Sequence, residues 1–412
     1  MSGNRILIVS SSPLCKNPRA LKEADTLGRA GYQVTVLTIS GRESYEAFDR
    51  EILKGAPFQK IALPYFGFRG LLGLGAHSSR VFTFFARRLI PFRIERRSAL
   101  GAFHRLFRVA RRTPADLTIV HTELGLAVGY ELLRHGRKVA VDIEDWHSRD
   151  LLPSARSRRP LRMLENYERG LLQRAAYTST TSQAMADALH AAYGGQKPSV
   201  ITNSFPLQTE LASDHANSMP AIFWLSQTVG PGRGLEPFLQ AWNRTTTPSR
   251  LCLLGEISPP YKNQLPERVT GHKKTLIEFL PLTSPSRLPQ LIARHDIGLA
   301  LEETIPANKD LTISNKILHY LNAGLAVVAS STAGHREVIA ENPAAGILVD
   351  AYETTAFARS LDNLLSDSAA LTRRQQAARL LAEKKYCWER EAPRLLALVE
   401  EALSQHGSPI RP

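Results

Sequence analysis

The feature that most constrains this chain is an alternation that begins at Arg5 and restarts at Ala221: short apolar runs rich in β-branched residues, separated by stretches with helical spacing. In the first half the runs are RILIVS from Arg5, QVTVLT from Gln33, LTIV from Leu117, KVAVDI from Lys138, YTSTT from Tyr177 and SVIT from Ser199. In the second half they are AIFWLS from Ala221, LCLLG from Leu251, LIEFL from Leu276, IGLAL from Ile297 and LAVVAS from Leu325. Parallel strands need a crossover, usually a helix, and a parallel sheet covered on both faces reads as continuous apolar runs. The pattern therefore predicts an α/β chain of two Rossmann-like, doubly wound parallel-sheet domains facing across a cleft. The length agrees: 412 residues exceed one ordinary domain, and two domains of roughly 150 to 200 residues each bury a full core.

The boundaries follow from composition. Residues 1–208 form the N-terminal domain, 209–220 a linker where LQTELASDHANSMP turns polar, and 221–385 the C-terminal domain. Residues 386–412 form a final helix expected to pack back on the N-terminal domain. The helix after the first strand is the best punctuated. Asn17 caps it, Pro18 takes its first position, Ala20, Ala24 and Leu27 line one face, and Gly31 ends it.

Charged residues make up 22% and apolar residues 43%, a balance that argues for a folded chain over a disordered one. Cys15, Cys252 and Cys387 are too few and too far apart for a disulfide framework or a cysteine zinc site, which points to a reducing compartment. The opening MSGNRILIVSSS reads as a strand rather than a secretory leader. No run of about 18 uncharged apolar residues marks a membrane-spanning helix. The expected location is cytoplasmic, with any membrane contact peripheral. A net charge of +14 calls for an anionic partner: nucleic acid, lipid headgroups or phosphorylated substrates.

Doubly wound sheets bind ligands beyond the carboxyl ends of their strands, so candidate residues lie just after the apolar runs. After AIFWLS comes QTVGPGRGLEPFLQAW, with Gly230, Gly232 and Gly234 around Arg233 and a helix starting at Leu235. Bare amides and one cation suit a diphosphate, and the same sequence also suits a plain turn. After IGLAL, the segment EETIPANKDLTISNKILHYLNAG reads as a loop and a helix capped by Ser314 or Thr312. Lys316 then sits in the first turn, where the helix dipole disfavours a cation unless an anion is bound. The alternative is pairing with Glu302, Glu303 or Asp310.

In the first half, LTIVHTE places His121 and Glu123 at a carboxyl end, and KVAVDIEDWH places Asp142, Glu144, Asp145 and His147 at the next. Glu144, Asp145 and His121 are candidates for acceptor binding or base catalysis; capping and solvated charge is the other reading. The histidine spacing matches no zinc pattern, so no metal is expected. From Tyr65 to Arg112 the chain interleaves arginines with Phe82, Phe84, Phe85, Phe92, Phe103 and Phe107, against one acid, Glu95. Such a stretch suits an anionic membrane surface, or divides into core phenylalanines and a solvated arginine face. Nucleic acid is the weakest candidate, for want of a recognised motif.

Taken together, these segments resemble the retaining family-four glycosyltransferases of the GT-B fold, the glycosyl transferases of group 1. The resemblance rests on ILIVSSSPLCKNPRALKEADTLGRAGYQVTVLT, on YTSTTSQAMADALHAAYG with ITNSFP, and on KILHYLNAGLAVVASSTAGHREVI. It implies transfer of a sugar from a nucleotide-diphosphate donor to a saccharide or lipid-linked acceptor, with retention, in cell-surface polysaccharide or glycolipid synthesis. It places Arg233 on the donor diphosphate, Asn315 and Lys316 at the start of the donor-site helix, and Glu144 with Asp145 near the acceptor side; Gly232, Gly234, Glu302, Thr312, Ser314 and His319 are the further donor-binding candidates. No cofactor and no metal are implied. The chain departs from the family where a carboxylate pair is usual: His319 and Leu311 stand there, and Gln227 replaces a second basic residue. Glu302 or Glu303 is the candidate substitute. Two other outcomes stay open: a catalytically silent nucleotide-sugar-binding scaffold and a sugar-nucleotide epimerase.

Overall fold

The structure is a computed structural model, and it describes residues 3–40, 43–64, 71–209 and 219–405, without the side chains of 71–77 and 79. The linker expected at 209–220 therefore lies almost wholly outside the described residues, as does the start of the arginine and phenylalanine stretch. By internal contacts the chain divides into two compact units, Met1–Ile201 with Ala392–Pro412, and Thr202–Glu391.

Each unit is built on one fully parallel sheet. The first has seven strands in the order β3-β2-β1-β4-β5-β6-β7, where β1 is Arg5–Val9, β2 Gln33–Ile39, β3 Phe58–Leu63, β4 Leu117–Val120, β5 Val139–Ile143, β6 Thr178–Thr180 and β7 Ser199–Val200. The second has six strands in the order β10-β9-β8-β11-β12-β13, with β8 Ala221–Val229, β9 Arg250–Ile257, β10 Ile277–Leu280, β11 Ile297–Ala300, β12 Ala326–Ser330 and β13 Gly346–Val349. In both sheets the strand order reverses beside the first strand, between β1 and β4 and between β8 and β11. Crevices beyond those carboxyl ends are where such sheets take ligands.

All eleven expected strands form. The other two, β3 and β13, are edge strands. Apolar runs mark strands buried on both faces, whereas β3 is largely solvent-facing and carries Lys60 and Gln59; β13 is a short apolar run, GILV, that the sequence reading passed over. In the second unit neighbouring residues of β8 point to opposite faces. Trp224 joins Trp242, Phe238 and Phe357 on one side of the sheet, and Phe223 joins Ile317, Tyr320 and Val327 on the other.

The first βα unit forms as its punctuation predicts. The helix Pro18–Arg29 is capped by Asn17, whose side chain accepts from the Ala20 amide at 3.0 Å. Ala20, Ala24 and Leu27 are buried, and Gly31 closes the turn at φ 93°. The last long helix, Trp388–Ser404, begins in the second unit and ends in the first. Lys138 Nζ donates to the carbonyls of Ala402 and Gln405 at 2.7 and 2.8 Å, a cation satisfying orphan acceptors at a helix end. No described helix is long and apolar enough to cross a membrane.

Candidate functional site

In the second unit, three strand ends converge at the β8/β11 reversal. The pairing of β8 with β9 shifts register between Leu225 and Thr228, which turns the chain into the glycine segment. Gly232 and Gly234 adopt φ 69° and 78°, a left-handed backbone that favours glycine. Gly234 also has no room for a side chain: a Cβ there would stand 2.7 Å from that of Leu301. This packs the turn, and the helix Leu235–Arg244 that starts from it, against the residue preceding Glu302. Arg233 reaches back along β8, its Nη1 donating to Ser226 Oγ at 3.2 Å.

Lys316 lies in the first turn of the helix Asn315–Ala323, as expected. It donates to Glu302 Oε1 and sits 5.7 Å from the Trp224 ring centroid. Burial raises the Glu302 carboxyl, but the Lys316 charge and hydrogen bond outweigh it, so the group lies below the usual carboxylate range. The pairing that was the alternative reading of Lys316 is thus present, and it does not exhaust the ammonium. Glu302 takes one N–H, and an ammonium has three.

The expected cap is a correction. Ser314 stands at the N-cap position without capping; its hydroxyl instead meets His335 Nε2 at 2.9 Å. Thr312 instead ends the preceding helix, Ala307–Leu311, its hydroxyl donating to the Asn308 carbonyl at 2.7 Å. Burial, with the Lys316 charge added, pushes the His335 imidazole down to about 4 against the pull of Glu302. Neutral His335 gives its one proton through Nδ1 to the Ser330 carbonyl at 3.0 Å, so Nε2 accepts from Ser314. The tautomer is fixed by its surroundings. Two more contacts were not legible in sequence: Asn203 Nδ2 donates to Asn315 Oδ1 at 2.9 Å, and Phe205 stacks on His319 at 3.7 Å.

In the first unit, His121 follows β4 and is wholly buried. Its Nε2 lies 3.0 Å from Glu23 and its Nδ1 3.3 Å from Glu144 and 3.5 Å from Asp142. Arg19, equally buried, bonds Asp142 at 2.7 and 3.1 Å and Glu23 at 3.1 Å, and donates to the Ile201 carbonyl at 2.7 Å. Burial lowers His121, but Glu23, Glu144 and Asp142 carry it up to about 10. His121 is therefore held as an imidazolium wholly buried within this cluster. Glu144, with 23% of its side chain exposed, is the member of this cluster that reaches the surface. Burial and the Asp142 charge hold its carboxyl above the usual range despite the His121 hydrogen bond. Asp145, part-buried, follows it in the chain. Glu23, His121 and Asp142 bring ligand atoms within 4.8 Å of one another, a metal-like spacing. The Arg19 guanidinium already bonds both carboxylates, and a metal ion there would have to displace it.

The arginine and phenylalanine stretch divides. Phe82, Phe84, Phe85 and Phe92 are 54–74% exposed, so they are not core, whereas Phe103 is buried on the helix Phe103–Arg112 with Leu106 and Ala110.

Two family models match: residues 17–204 fit the glycosyl transferase 4-like domain and residues 220–367 fit glycosyl transferases group 1. The Anabaena HepE protein, solved in complex with UDP and glucose, superposes with a TM-score of 0.70 at 17% identity, over 96% of this chain and 99% of that one. Sucrose-phosphate synthase from Thermosynechococcus elongatus also gives a TM-score of 0.70, at 14% identity over 98% and 100%. Spore coat protein SA of Bacillus subtilis (strain 168) is 26% identical over 132 residues, 31% of this chain, and the match spans 33% of that relative's length.

Proposed function

We propose that this chain, which belongs to the group 1 glycosyltransferases of the GT-B fold, holds the diphosphate of its nucleotide-sugar donor at the β8/β11 crevice of the second unit. One observation carries the reading. Arg233 and the glycine turn follow β8 and Glu302 follows β11, two strands that pair at the reversal of strand order, and Lys316 joins them from the start of the helix Asn315–Ala323 by its bond to Glu302.

Transfer builds negative charge on the departing diphosphate while the anomeric carbon becomes cationic. Preorganised cations and amides lower that barrier because they need no reorganisation as charge develops. Arg233 keeps guanidinium donors beyond the one given to Ser226, and Lys316 keeps ammonium donors beyond the one given to Glu302. No metal takes part in this scheme. With retention of configuration, the leaving phosphate takes the acceptor proton on the same face. Glu144 and Asp145 orient the acceptor, and His121 and Arg19 are positioning residues that set the Glu144 carboxyl. His319, Thr312, Ser314 and Asn315 shape the rim of the donor helix. The acceptor is a saccharide or lipid-linked saccharide of cell-surface polymer or glycolipid synthesis. The exposed phenylalanines with their neighbouring arginines lay the first unit on an anionic bilayer, at the cytoplasmic face of the membrane.

Arg233→Ala and Lys316→Ala are expected to reduce turnover of labelled nucleotide sugars by roughly 100-fold each, a loss of the size seen when one transition-state donor is removed. Near-wild-type turnover in both removes the assignment. A second reading, a silent nucleotide-sugar-binding scaffold, is favoured by the stacking of His319 on Phe205 where the family usually has a carboxylate. Nucleotide-sugar binding without hydrolysis or transfer would select it. Release of free nucleotide with an altered sugar, in the absence of acceptor, would select an epimerase.

A further inference from the structure

Serine is among the best residues to start a helix, because its side-chain oxygen accepts from an amide of the first turn that no carbonyl of the helix can reach. This chain uses the device repeatedly. Asn17, Ser182, Thr332 and Asp367 each stand before a helix and cap it, accepting from the amides of Ala20, Met185, His335 and Ala370 at 3.0, 3.0, 3.3 and 2.8 Å. Ser314 holds the same place before the helix Asn315–Ala323, with the extended backbone that a cap requires, φ −68° and ψ 145°, and its side chain does not cap. Only the direction of the hydroxyl differs.

His335 is what turns it. The imidazole is wholly buried on the helix Ala333–Glu341, and its Nε2 accepts from Ser314 Oγ at 2.9 Å. The ring is not free to swing away, because its Nδ1 donates to the Ser330 carbonyl at 3.0 Å and its own amide is held by Thr332. Ser330 in turn accepts the Glu302 amide on its hydroxyl at 2.8 Å, and the Glu302 carboxylate takes Lys316 from the first turn of the helix that Ser314 precedes. Ser314, His335, Ser330, Glu302 and Lys316 thus close a circuit from the helix start, through the ends of β12 and β11, and back to the helix. One arm of it holds a cation at the helix start, and the other holds a hydroxyl away from the amides there. A serine released from the histidine gains a hydrogen bond by turning to the Lys316 or Ile317 amide.

Resting on the donor reading above, we propose that His335 is a positioning residue for the diphosphate: by drawing the Ser314 hydroxyl aside, it keeps the first-turn amides of the helix Asn315–Ala323 open to the anion that Lys316 attracts. His335 touches no substrate in this scheme. Without it, Glu302 and Lys316 stay paired, Ser314 caps the helix, and the ligand has to displace that cap before it reaches the amides.

Calorimetric titration of the full chain with UDP, and with inorganic diphosphate as a probe that needs no nucleobase contact, tests this in wild type, His335→Leu, Ser314→Ala and the double variant. His335→Leu is expected to weaken binding of both probes about fivefold when Ser314 is present, the worth of one N-cap bond. In the Ser314→Ala chain the same change is expected to weaken it by less than about twofold, since no hydroxyl remains to cap. Melting temperature should move the other way, with His335→Leu lowering it less when Ser314 is present, because the new cap restores part of the stability lost. A histidine that only supports the fold predicts equal losses of affinity in both backgrounds, and that result overturns the proposal. Ser314→Asn, which installs a strong cap and leaves the buried histidine untouched, should also bind about fivefold more weakly. Wild-type affinity in that chain overturns the proposal as well, whether or not His335→Leu folds. Binding of neither probe by wild type defeats the donor reading and this role together, whereas binding by wild type with equal losses across the cycle defeats the role alone.

Discussion

Replacing Glu302 with Gln leaves Lys316 nearly buried without its counter-charge. The two side chains are 14% and 11% exposed, so the pair is neither a surface ion pair worth a few tenths of a kcal/mol nor fully enclosed. Two unit charges about 4 Å apart interact by about 4 kcal/mol at an effective dielectric of 20. Removing one partner of a buried pair costs about 3–5 kcal/mol, and the residual exposure puts this pair at about 3. For a unit of this size each kcal/mol moves Tm by about 2–4 °C, so Glu302→Gln should lower the transition of the second unit by roughly 6–12 °C. Glu302→Gln/Lys316→Met removes both charges and should recover most of that loss. The effect has a defined pH sense. The Glu302 carboxyl lies below its ordinary 4.5 in the folded chain, so its contribution is whole above that value and is lost as pH falls through the folded one. Thermal scans of wild type, Glu302→Gln, Lys316→Met and the double variant, at neutral pH and at successively lower pH, measure the cycle. The reasoning fails if Glu302→Gln melts within about 1 °C of wild type, or if the double variant is no more stable than the single. Nucleotide diphosphate should stabilise Glu302→Gln more than wild type, since an anion then replaces the missing partner.

His121 gives the opposite pH sense. Its folded value is raised from 6.5 to about 10, so its stabilising charge is fully present below 6.5 and is lost as pH rises through about 10. His121→Gln should therefore be destabilised most in urea melts below pH 6.5 and least near pH 10, and a deficit independent of pH would refute a buried imidazolium. In liposome flotation, vesicles containing anionic lipid should carry wild type upward, and Phe84→Ser/Phe92→Ser should stay largely in the soluble fraction; equal recovery of wild type with neutral and anionic vesicles would dismiss the membrane surface.

Much of the fold was legible because its signals are local. An apolar run covered on both faces, an asparagine before a proline at a helix start and a glycine at its end act through neighbouring atoms, and each formed where its residues stand. The edge strand β3 left no such mark, since a strand largely facing solvent needs no apolar run; β13 does read as a short apolar run, GILV, that the sequence reading passed over. The Gly232 and Gly234 turn and the helix at Asn315 were placed by the same local logic. The partners of their side chains were legible only in part. Glu302 was one of three acids the sequence offered to Lys316, and the fold selects it; Asn203 reaches Asn315, and Arg19 reaches Asp142, because parallel crossovers bring distant segments together. No spacing in the sequence encodes that meeting. The same distinction governs charge: His121 and His335 are both buried histidines, but one is surrounded by three carboxylates and keeps its proton, while burial and the Lys316 cation outweigh Glu302 and Asp310 at the other, which loses it. Residue type set what each group was able to do; the groups folded around it decided which it does.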